Sequence, residues 1–192
     1  MPRRRVPTSA QASAASPSAE RMPEPASSRS LFEGRWVRVD EEEWPGVGAW
    51  EVVRTPDAAG VLPITPEGDV LLVRQFRPPV RHVVTEIPAG LLDVEGEDAE
   101  TCAARELYEE TGFRHASLEF LAGFHPSAGH SAEFVHLFLA RTRSEPEGEP
   151  EDGIELVRVP LPEIVAEARA GRLEDVKTAL AVLLADARMT PG

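Results

Sequence analysis

The sequence is poor in cysteine, in basic residues and in long apolar runs, and each shortage excludes a class of protein. Cys102 is the only cysteine among 192 residues, so an intrachain disulfide is impossible. Lysine and arginine number 20 against 33 acidic residues, and the net charge of −13 argues against a general nucleic-acid binder, which needs a basic surface. No apolar run is long enough for a membrane-spanning helix. We therefore expect a cytoplasmic protein that binds neither nucleic acid nor a membrane.

The start of the chain has few bulky apolar side chains. Residues 1–28 are rich in Ser, Ala and Pro, with Arg3, Arg4 and Arg5 near the beginning. This composition cannot form a packed core, so we predict a disordered tail over residues 1–28. No apolar segment follows the arginines, which argues against a secretory signal peptide and leaves a transit peptide as the alternative. The remaining length suits one domain with one sizeable core.

Beyond the tail, short strands and turns surround one acidic helix. Apolar and β-branched runs predict strands at residues 32–39, 50–55, 61–64, 69–76, 83–87, 118–124, 134–141 and 155–160. Pro66-Glu67-Gly68 predicts the turn of a hairpin. Helical patterns close the chain at residues 161–170 and 173–187. This order predicts mixed sheets sandwiched between helices.

The acidic helix, predicted at residues 99–111, carries the chemistry. Asp98 can cap its first turn, and Gly112 can end it in the left-handed conformation. Three carboxylates fall at i, i+3 and i+4 on one edge of the helix: Glu106, Glu109 and Glu110. Close carboxylates supply the hard oxygen ligands that suit Mg²⁺, with Mn²⁺ as the alternative, and a neighbouring arginine, Arg105, can orient them. The competing interpretation is a solvated acidic face.

The segment around this helix resembles the signature of the Nudix hydrolases. The matching positions are Gly90, Glu97, Arg105, Glu106, Leu107, Glu109, Glu110, Gly112 and Phe113. Six residues separate Gly90 from Glu97 where the signature has five, so we expect a changed loop shape and unchanged ligand spacing on the helix. The resemblance implies an α/β (α+β) fold, a Nudix-type α/β/α sandwich with mixed β-sheets. It also implies an N-terminal strand extension at residues 29–58, used for dimerisation and for the adenine site, and a Nudix domain at residues 59–192.

Further segments look like the ADP-ribose pyrophosphatases of that family, at residues 50–54, 74–79 and 86–91. The resemblance implies that Trp50 stacks on adenine, that Arg54 and Arg77 hold phosphates, and that the Ala89 carbonyl ligates metal. Leu91 and Glu133 complete the substrate-binding candidates. The alternatives are a core tryptophan at position 50 and a surface ion pair at position 77. Ala128 stands where the subfamily usually has proline, so the substrate preference stays open.

An acidic loop at residues 144–153 supplies candidates for the general base. In the resembling family a glutamate just before the next strand takes the proton, which favours Glu151 and then Asp152, with Glu109 as a further catalytic candidate; the alternative is a solvated linker. The implied activity is Mg²⁺-dependent pyrophosphate hydrolysis of a small nucleoside diphosphate derivative, with ADP-ribose giving AMP and ribose 5-phosphate, by a homodimer. A nucleotide-sugar pyrophosphatase and a non-catalytic Nudix sensor of nucleotides remain alternatives.

Overall fold

The computed structural model describes residues 24–190, and within them the chain forms two sheets and three helices. The strands are β1 Ser27–Glu33, β2 Arg38–Trp44, β3 Gly48–Arg54, β4 Ala58–Ile64, β5 Asp69–Arg77, β6 His82–Glu86, β7 Ala89–Leu91, β8 His115–Phe124, β9 Val135–Thr142 and β10 Glu155–Pro160. The helices are α1 Ala99–Thr111, α2 Leu161–Arg169 and α3 Val176–Met189. Most of the predicted tail, residues 1–23, lies outside the described residues, while Ser27 and Ser28 already belong to β1.

The N-terminal sheet is antiparallel, in the order β1, β2, β3. The single strand predicted at residues 32–39 is wrong, because a turn divides that segment between β1 and β2. Gly34 N–H donates to Val37 O at 2.8 Å and closes this turn. Apolar residues lie on both sides of Gly34, at Phe32, Trp36, Val37 and Val39, so the sequence pattern does not show the break.

The larger sheet is mixed and has seven strands. Its main order is β10, β5, β4, β9, β8, with β6 paired to β5 and β7 paired to β4. Only the β4–β9 pairing is parallel; the others are antiparallel. The hairpin predicted between β4 and β5 is present, with Thr65 N–H donating to Asp69 O at 2.8 Å and Gly68 at φ +92°.

Helices cover both faces of the larger sheet, as the sandwich prediction requires. The side chains of Ala59 and Val61 in β4 pack with α1, whereas those of Leu62 and Ile64 pack with α2 and α3. Every residue of β4 is buried, which is expected of a strand covered on both faces. No helix within residues 24–190 is both long and apolar enough to cross a membrane.

The helix ends follow their capping residues. Helix α1 spans the predicted residues: Asp98 accepts from Thr101 N–H at 2.8 Å, and Gly112 ends the helix at φ +74°. Helix α3 begins three residues later than the predicted residue 173, because the Asp175 carboxylate accepts from Thr178 N–H at 2.9 Å and makes Val176 the first helical residue.

Candidate active site

The guanidinium of Arg105 joins three carboxylates. Together with the neighbouring Glu110, Arg105 and these three residues form what we call the Arg105 cluster: Glu97, Glu106 and Glu109. Its Nε and Nη2 donate to the two oxygens of Glu97 at 2.8 and 3.0 Å. Its Nη1 donates to Glu106 Oε1 at 2.6 Å and to Glu109 Oε2 at 2.8 Å. The bond with Glu97 is the largest cause of the raised pKa of Arg105, and it lowers the pKa of Glu97. The forked pair fixes the guanidinium plane, so Arg105 holds two carboxylates of α1 in defined positions.

Glu106 and Glu110 are almost fully buried, with only 9% and 6% of their surface exposed. Burial raises the pKa of Glu110 to about 7, and the nearby charge of Glu106 adds to this rise while the Ala89 N–H opposes it. Burial likewise raises the pKa of Glu106, and Arg105 opposes that rise. The interpretation as a solvated face is therefore wrong for these two carboxylates. Like charges this deeply buried call for a compensating cation.

The Pro88–Leu91 segment lies directly against the acidic edge of α1. Ala89 N–H donates to Glu110 Oε2 at 3.1 Å. A Cβ atom at position 90 would lie only 1.9 Å from Glu106 Oε1, so only glycine allows this close approach. Gly90 therefore sets how near the loop can come to the Glu106 carboxylate, and the Ala89 peptide lies on the same side of the site.

The loop with the extra residue still brings Glu97 to Arg105. Gly96 adopts φ +80°, and Glu97 N–H donates to Val94 O at 3.1 Å. This turn lies before α1 begins, so the six-residue loop precedes the helix that carries Glu106, Glu109 and Glu110. That the loop changes shape without changing the ligand spacing stays a prediction.

The acidic loop crosses the C-terminal end of α1. Glu151 N–H donates to Glu109 O at 3.0 Å, and Glu147 N–H donates to Gly112 O at 2.8 Å. The Glu151 charge also contributes to the raised pKa of Glu106, after burial and the neighbouring charges of α1. Asp152 is exposed. The structure thus brings Glu151 close to the helical carboxylates.

Arg77, at the end of β5, lies beside the Arg105 cluster. Its Nε donates to the buried Glu86 carboxylate at 2.6 Å. The pair raises the pKa of Arg77, and the charge of Glu110 contributes to that rise. The guanidinium remains partly exposed. It therefore differs from an ordinary surface ion pair, because its partner is buried.

Trp50 and Arg54 lie in the N-terminal sheet. Trp50 is 47% exposed, so it is not a core tryptophan, and it borders a cavity of about 170 Å³ together with Trp44 and the 128–132 loop, which includes Ala128. Arg54 is held by two buried carboxylates, with its Nε at 2.8 Å from Asp40 and its Nη2 bonded to Glu42. Within residues 24–190 no hydrogen bond or ion pair joins Trp50 or Arg54 to the Arg105 cluster.

The family model of the NUDIX domain matches residues 54–180, which include the whole Arg105 cluster and the acidic loop. The chain belongs to the NUDIX family. Its sequence is 36% identical over 160 residues to a methanol dehydrogenase activator of Bacillus methanolicus and, over the same length, 36% identical to an ADP-ribose pyrophosphatase of Bacillus subtilis. Each alignment covers 79% of this chain and 86% of the relative. A GDP-mannose pyrophosphatase of Yersinia enterocolitica is 35% identical over 124 residues, covering 59% and 64%.

A solved structure supports the same fold. The crystal structure of an ADP compounds hydrolase superposes with a TM-score of 0.72, covering 89% of this chain and 97% of that one at 20% identity. The predicted Nudix sandwich is therefore confirmed. The prediction of a Nudix pyrophosphatase is confirmed by the family and by relatives with that name.

The donor set of this Nudix site fits a divalent cation, on which Nudix hydrolases generally depend. The carboxylates are hard oxygen ligands, and the raised pKa of Glu110 indicates a place where positive charge is favoured. Within residues 24–190 no three acidic, histidine or cysteine side chains already converge as a complete cation site. Glu106 and Glu109 are held by Arg105 instead.

Two other predicted residues border the Nudix site less closely. Leu91, in β7, is half-buried and packs against the core on the α2 and α3 face of the sheet. The half-buried Glu133 lies in the β8–β9 loop, where its backbone carbonyl is 2.8 Å from His125 Nδ1. The Leu91 backbone O accepts from Arg105 Nη2 at 3.5 Å, so Leu91 reaches the Arg105 cluster through its main chain.

Two residues of α3 that the sequence did not indicate, Lys177 and Thr178, contact Glu86 and Ile87 beside the Nudix site. Lys177 Nζ lies 3.3 Å from Glu86 Oε2, and Thr178 Oγ1 accepts from Ile87 N–H at 2.8 Å. The available signal was Asp175 three residues before Thr178, which is the spacing of a helix cap. That signal marks the start of a helix and says nothing about a contact 91 residues away.

Proposed function

We propose that this Nudix protein hydrolyses the pyrophosphate bond of ADP-ribose to AMP and ribose 5-phosphate, with Mg²⁺ as the preferred cation. The observation that carries the proposal is the Arg105 cluster, in which Arg105 fixes Glu106 and Glu109 beside the buried Glu110. A purely structural helix would gain nothing from two buried carboxylates on adjacent turns.

Three carboxylates and one carbonyl would hold the cation: Glu106, Glu109, Glu110 and Ala89. When bound there, Mg²⁺ supplies charge neutralisation on the phosphate oxygens and lowers the pKa of the attacking water. The protein's contribution is preorganisation: Arg105 orients two of the carboxylates, and the Ala89 N–H orients the third.

Glu151 is the general base in this proposal, with Asp152 as the second candidate and Glu109 as the third. The water oxygen attacks phosphorus, its proton passes to the Glu151 carboxylate, and the bridging P–O bond breaks, so that the bridging oxygen leaves with the second phosphate. The backbone bond from Glu151 to Glu109 supports this assignment, because it ties the loop to the metal-binding helix. Glu151 is exposed, so its carboxylate is free to move.

Arg77 binds the pyrophosphate, since its guanidinium lies beside the cluster and stays partly exposed. Arg54 is the second phosphate ligand; its Nε and Nη2 serve Asp40 and Glu42, so Nη1 is the atom we assign to the substrate. Trp50 offers an exposed indole face for the adenine. Leu91 and Glu133 complete the substrate-binding set.

A homodimer completes the site in this proposal. Within residues 24–190 no hydrogen bond or ion pair joins Trp50 or Arg54 to the Arg105 cluster of its own chain, and we assign the strand region at 29–58 to the cluster of a second copy. Large apolar side chains exposed on this region support such an interface: Leu31, Phe32, Trp36 and Val37. Apolar area of this kind is usually covered by another protein surface. A dimer would cover these side chains and would also bring Trp50 to an Arg105 cluster.

Nucleotide sugars are the runner-up substrates, since one relative is named a GDP-mannose pyrophosphatase. A non-catalytic sensor is the alternative of another class. The complete set of helical carboxylates favours catalysis, because a sensor would not need all of them.

A substrate panel tests the proposal. ADP-ribose, ADP-glucose, GDP-mannose and ADP would be incubated with Mg²⁺, and products separated and identified. We expect AMP and ribose 5-phosphate from ADP-ribose, with the highest kcat/KM of the panel. Preference for GDP-mannose would transfer the proposal to nucleotide sugars, and tight binding of ADP-ribose without turnover would support the sensor.

A further inference from the structure

The first turn of α3 contacts Glu86 and Ile87, which lead into the Pro88–Leu91 segment. Glu86, the last residue of β6, is buried and has a cation on each oxygen: Arg77 Nε at 2.6 Å and Lys177 Nζ at 3.3 Å. Lys177 is held in turn by Asp175 Oδ1 at 2.7 Å. The Glu86 carboxylate therefore links the phosphate-binding arginine to α3.

Thr178 makes the second connection. Its hydroxyl accepts from Ile87 N–H at 2.8 Å and donates to Asp175 Oδ2 at 2.6 Å. The side chain is fully buried, so no water can replace either bond. The cap residue of α3 thus aligns the hydroxyl that holds the backbone at Ile87.

Both connections end next to groups of the proposed site. Ile87 is followed by Pro88 and then by Ala89, whose carbonyl is a proposed metal ligand and whose N–H bonds to Glu110. Glu86 holds Arg77 through one bond, from Arg77 Nε to Glu86 Oε1. The Ala89 peptide and the Arg77 guanidinium are therefore both connected to the first turn of α3.

We infer that Lys177 and Thr178 are positioning residues: Lys177 sets the direction of Arg77 through Glu86, and Thr178 sets the Ala89 peptide through Ile87. The inference rests on the proposed function. It makes α3, on the opposite face of the sheet from α1, a structural determinant of both metal and substrate affinity.

The two residues should have separable effects. Thr178→Val keeps the shape and removes the acceptor for Ile87 N–H, so the Mn²⁺ dissociation constant should rise about tenfold, as for loss of an outer-shell partner of a metal site. Lys177→Met leaves Glu86 with Arg77 as its only cation and draws Arg77 towards Glu86. The KM for ADP-ribose should then rise severalfold while Mn²⁺ affinity stays near wild type.

Matched variants separate positioning from general damage. Thr178→Ser and Lys177→Arg restore the hydroxyl and the charge, and each should recover most of the lost affinity. Thr142→Val is the packing control, because the Thr142 hydroxyl is buried without a hydrogen-bond partner within residues 24–190. It should leave Mn²⁺ affinity and KM unchanged.

The experiment measures Mn²⁺ binding by electron paramagnetic resonance, KM and kcat for ADP-ribose, and the thermal midpoint of all five variants. Wild-type Mn²⁺ affinity in folded Thr178→Val, together with wild-type KM in Lys177→Met, would overturn the inference. If Thr178→Val fails to fold, the KM of Lys177→Met and its rescue by Lys177→Arg decide. Failure of the proposed function appears elsewhere, as absent turnover of the whole panel by the wild type.

Discussion

Arg105 concentrates the chemistry of the site because one guanidinium fixes three carboxylates that would otherwise repel one another. Its bonds to Glu106 and Glu109 use the same nitrogen, Nη1, so both carboxylates turn towards one point. Glu110, which has no bond to Arg105, is instead held by a backbone N–H and buried. Among these carboxylates Glu110 has no bonded cation within residues 24–190, so a bound metal ion would stabilise its charged form the most.

Glu110 should make the metal-free protein less stable as pH rises. Its pKa is raised from 4.5 to about 7 by burial, so between these values the folded state binds more protons than the unfolded state. The free energy of unfolding should therefore fall as pH rises from about 4.5 to about 7 and gain no further slope from this group above that. Chemical denaturation in EDTA, compared with Glu110→Gln, measures this contribution.

In Glu110→Gln the free energy of unfolding should change less with pH. In the wild type Mg²⁺ should reduce the same pH dependence, because the cation takes the place of the proton on Glu110. Glu100→Gln is the matched control, since Glu100 is exposed in the first turn of the same helix. It should keep the wild-type slope. Equal slopes in wild type and Glu110→Gln would contradict a raised pKa at Glu110.

Gly90→Ala should impair catalysis far more than folding. The added Cβ would meet Glu106 Oε1 at 1.9 Å, so either the carboxylate or the loop must move by more than 1 Å. A displacement of that size can cost about a hundredfold in rate. We expect kcat/KM to fall at least about a hundredfold, with Mn²⁺ affinity reduced as well. A folded Gly90→Ala variant within about threefold of wild-type activity would show that the close approach is unimportant.

At the scale of elements, the loop before α1 tolerates length because its turn is local. Deleting Glu95 restores five residues between Gly90 and Glu97. It removes a central residue of the turn closed by the Val94 O–Glu97 N bond, and it leaves the helix that carries Glu106, Glu109 and Glu110 intact. We expect kcat/KM for ADP-ribose to stay within about tenfold of wild type, roughly 1.4 kcal/mol in the barrier. Complete loss of turnover in a folded deletion variant would show that the six-residue loop is part of the site.

Elements with complete local signals could be predicted from the sequence. Helix α1 has an Asp cap, an apolar stripe and a terminal glycine, and it spans the predicted residues 99–111. Strand β7 has only three residues and was not predicted, because its stability comes from pairing with β4. The predicted strand at 32–39 is wrong because apolar residues lie on both sides of the turn that the Gly34–Val37 bond closes.

The carboxylates of the site were also predictable, because their spacing along α1 is local. The partners of the site were not, since the bonds from Glu86 and Ile87 to α3 span 91 residues. Nor could the sequence tell that Arg54 is held by Asp40 and Glu42, which depends on the register of β2 against β3.

At the scale of the whole molecule, Trp50 and Glu106 should act in one site contributed by two chains. Trp50→Ala should raise the KM for ADP-ribose about five- to a hundredfold, because stacking on a base is worth roughly 1 to 3 kcal/mol. The turnover number should change much less. Since Trp50 is exposed, the thermal midpoint should change little.

Mixing two variants tests the shared site. Co-expressed Trp50→Ala and Glu106→Gln chains would form mixed dimers with one site in which both residues are wild type. At low ADP-ribose concentration the mixed dimers should contribute about a quarter of wild-type activity. This exceeds either variant alone clearly when Trp50→Ala lowers kcat/KM by more than about tenfold. If the co-expressed mixture has half the activity of Trp50→Ala alone, the shared site is contradicted. Trp50 and Glu106 of one chain would then lie in the same site, or Trp50 would lie outside it.

The central claim is that the carboxylates of α1 hold the cation for pyrophosphate hydrolysis, and Glu106→Gln tests it most directly. The amide keeps the shape of the side chain and removes its charge. Wild type and variant would be assayed with ADP-ribose at limiting Mg²⁺, with AMP and ribose 5-phosphate quantified and thermal midpoints compared. We predict both products from the wild type, none after EDTA, and at least about a hundredfold lower kcat/KM, roughly 2.7 kcal/mol, in a folded Glu106→Gln variant. Wild-type turnover by that variant, or no turnover by the wild type, would contradict the claim.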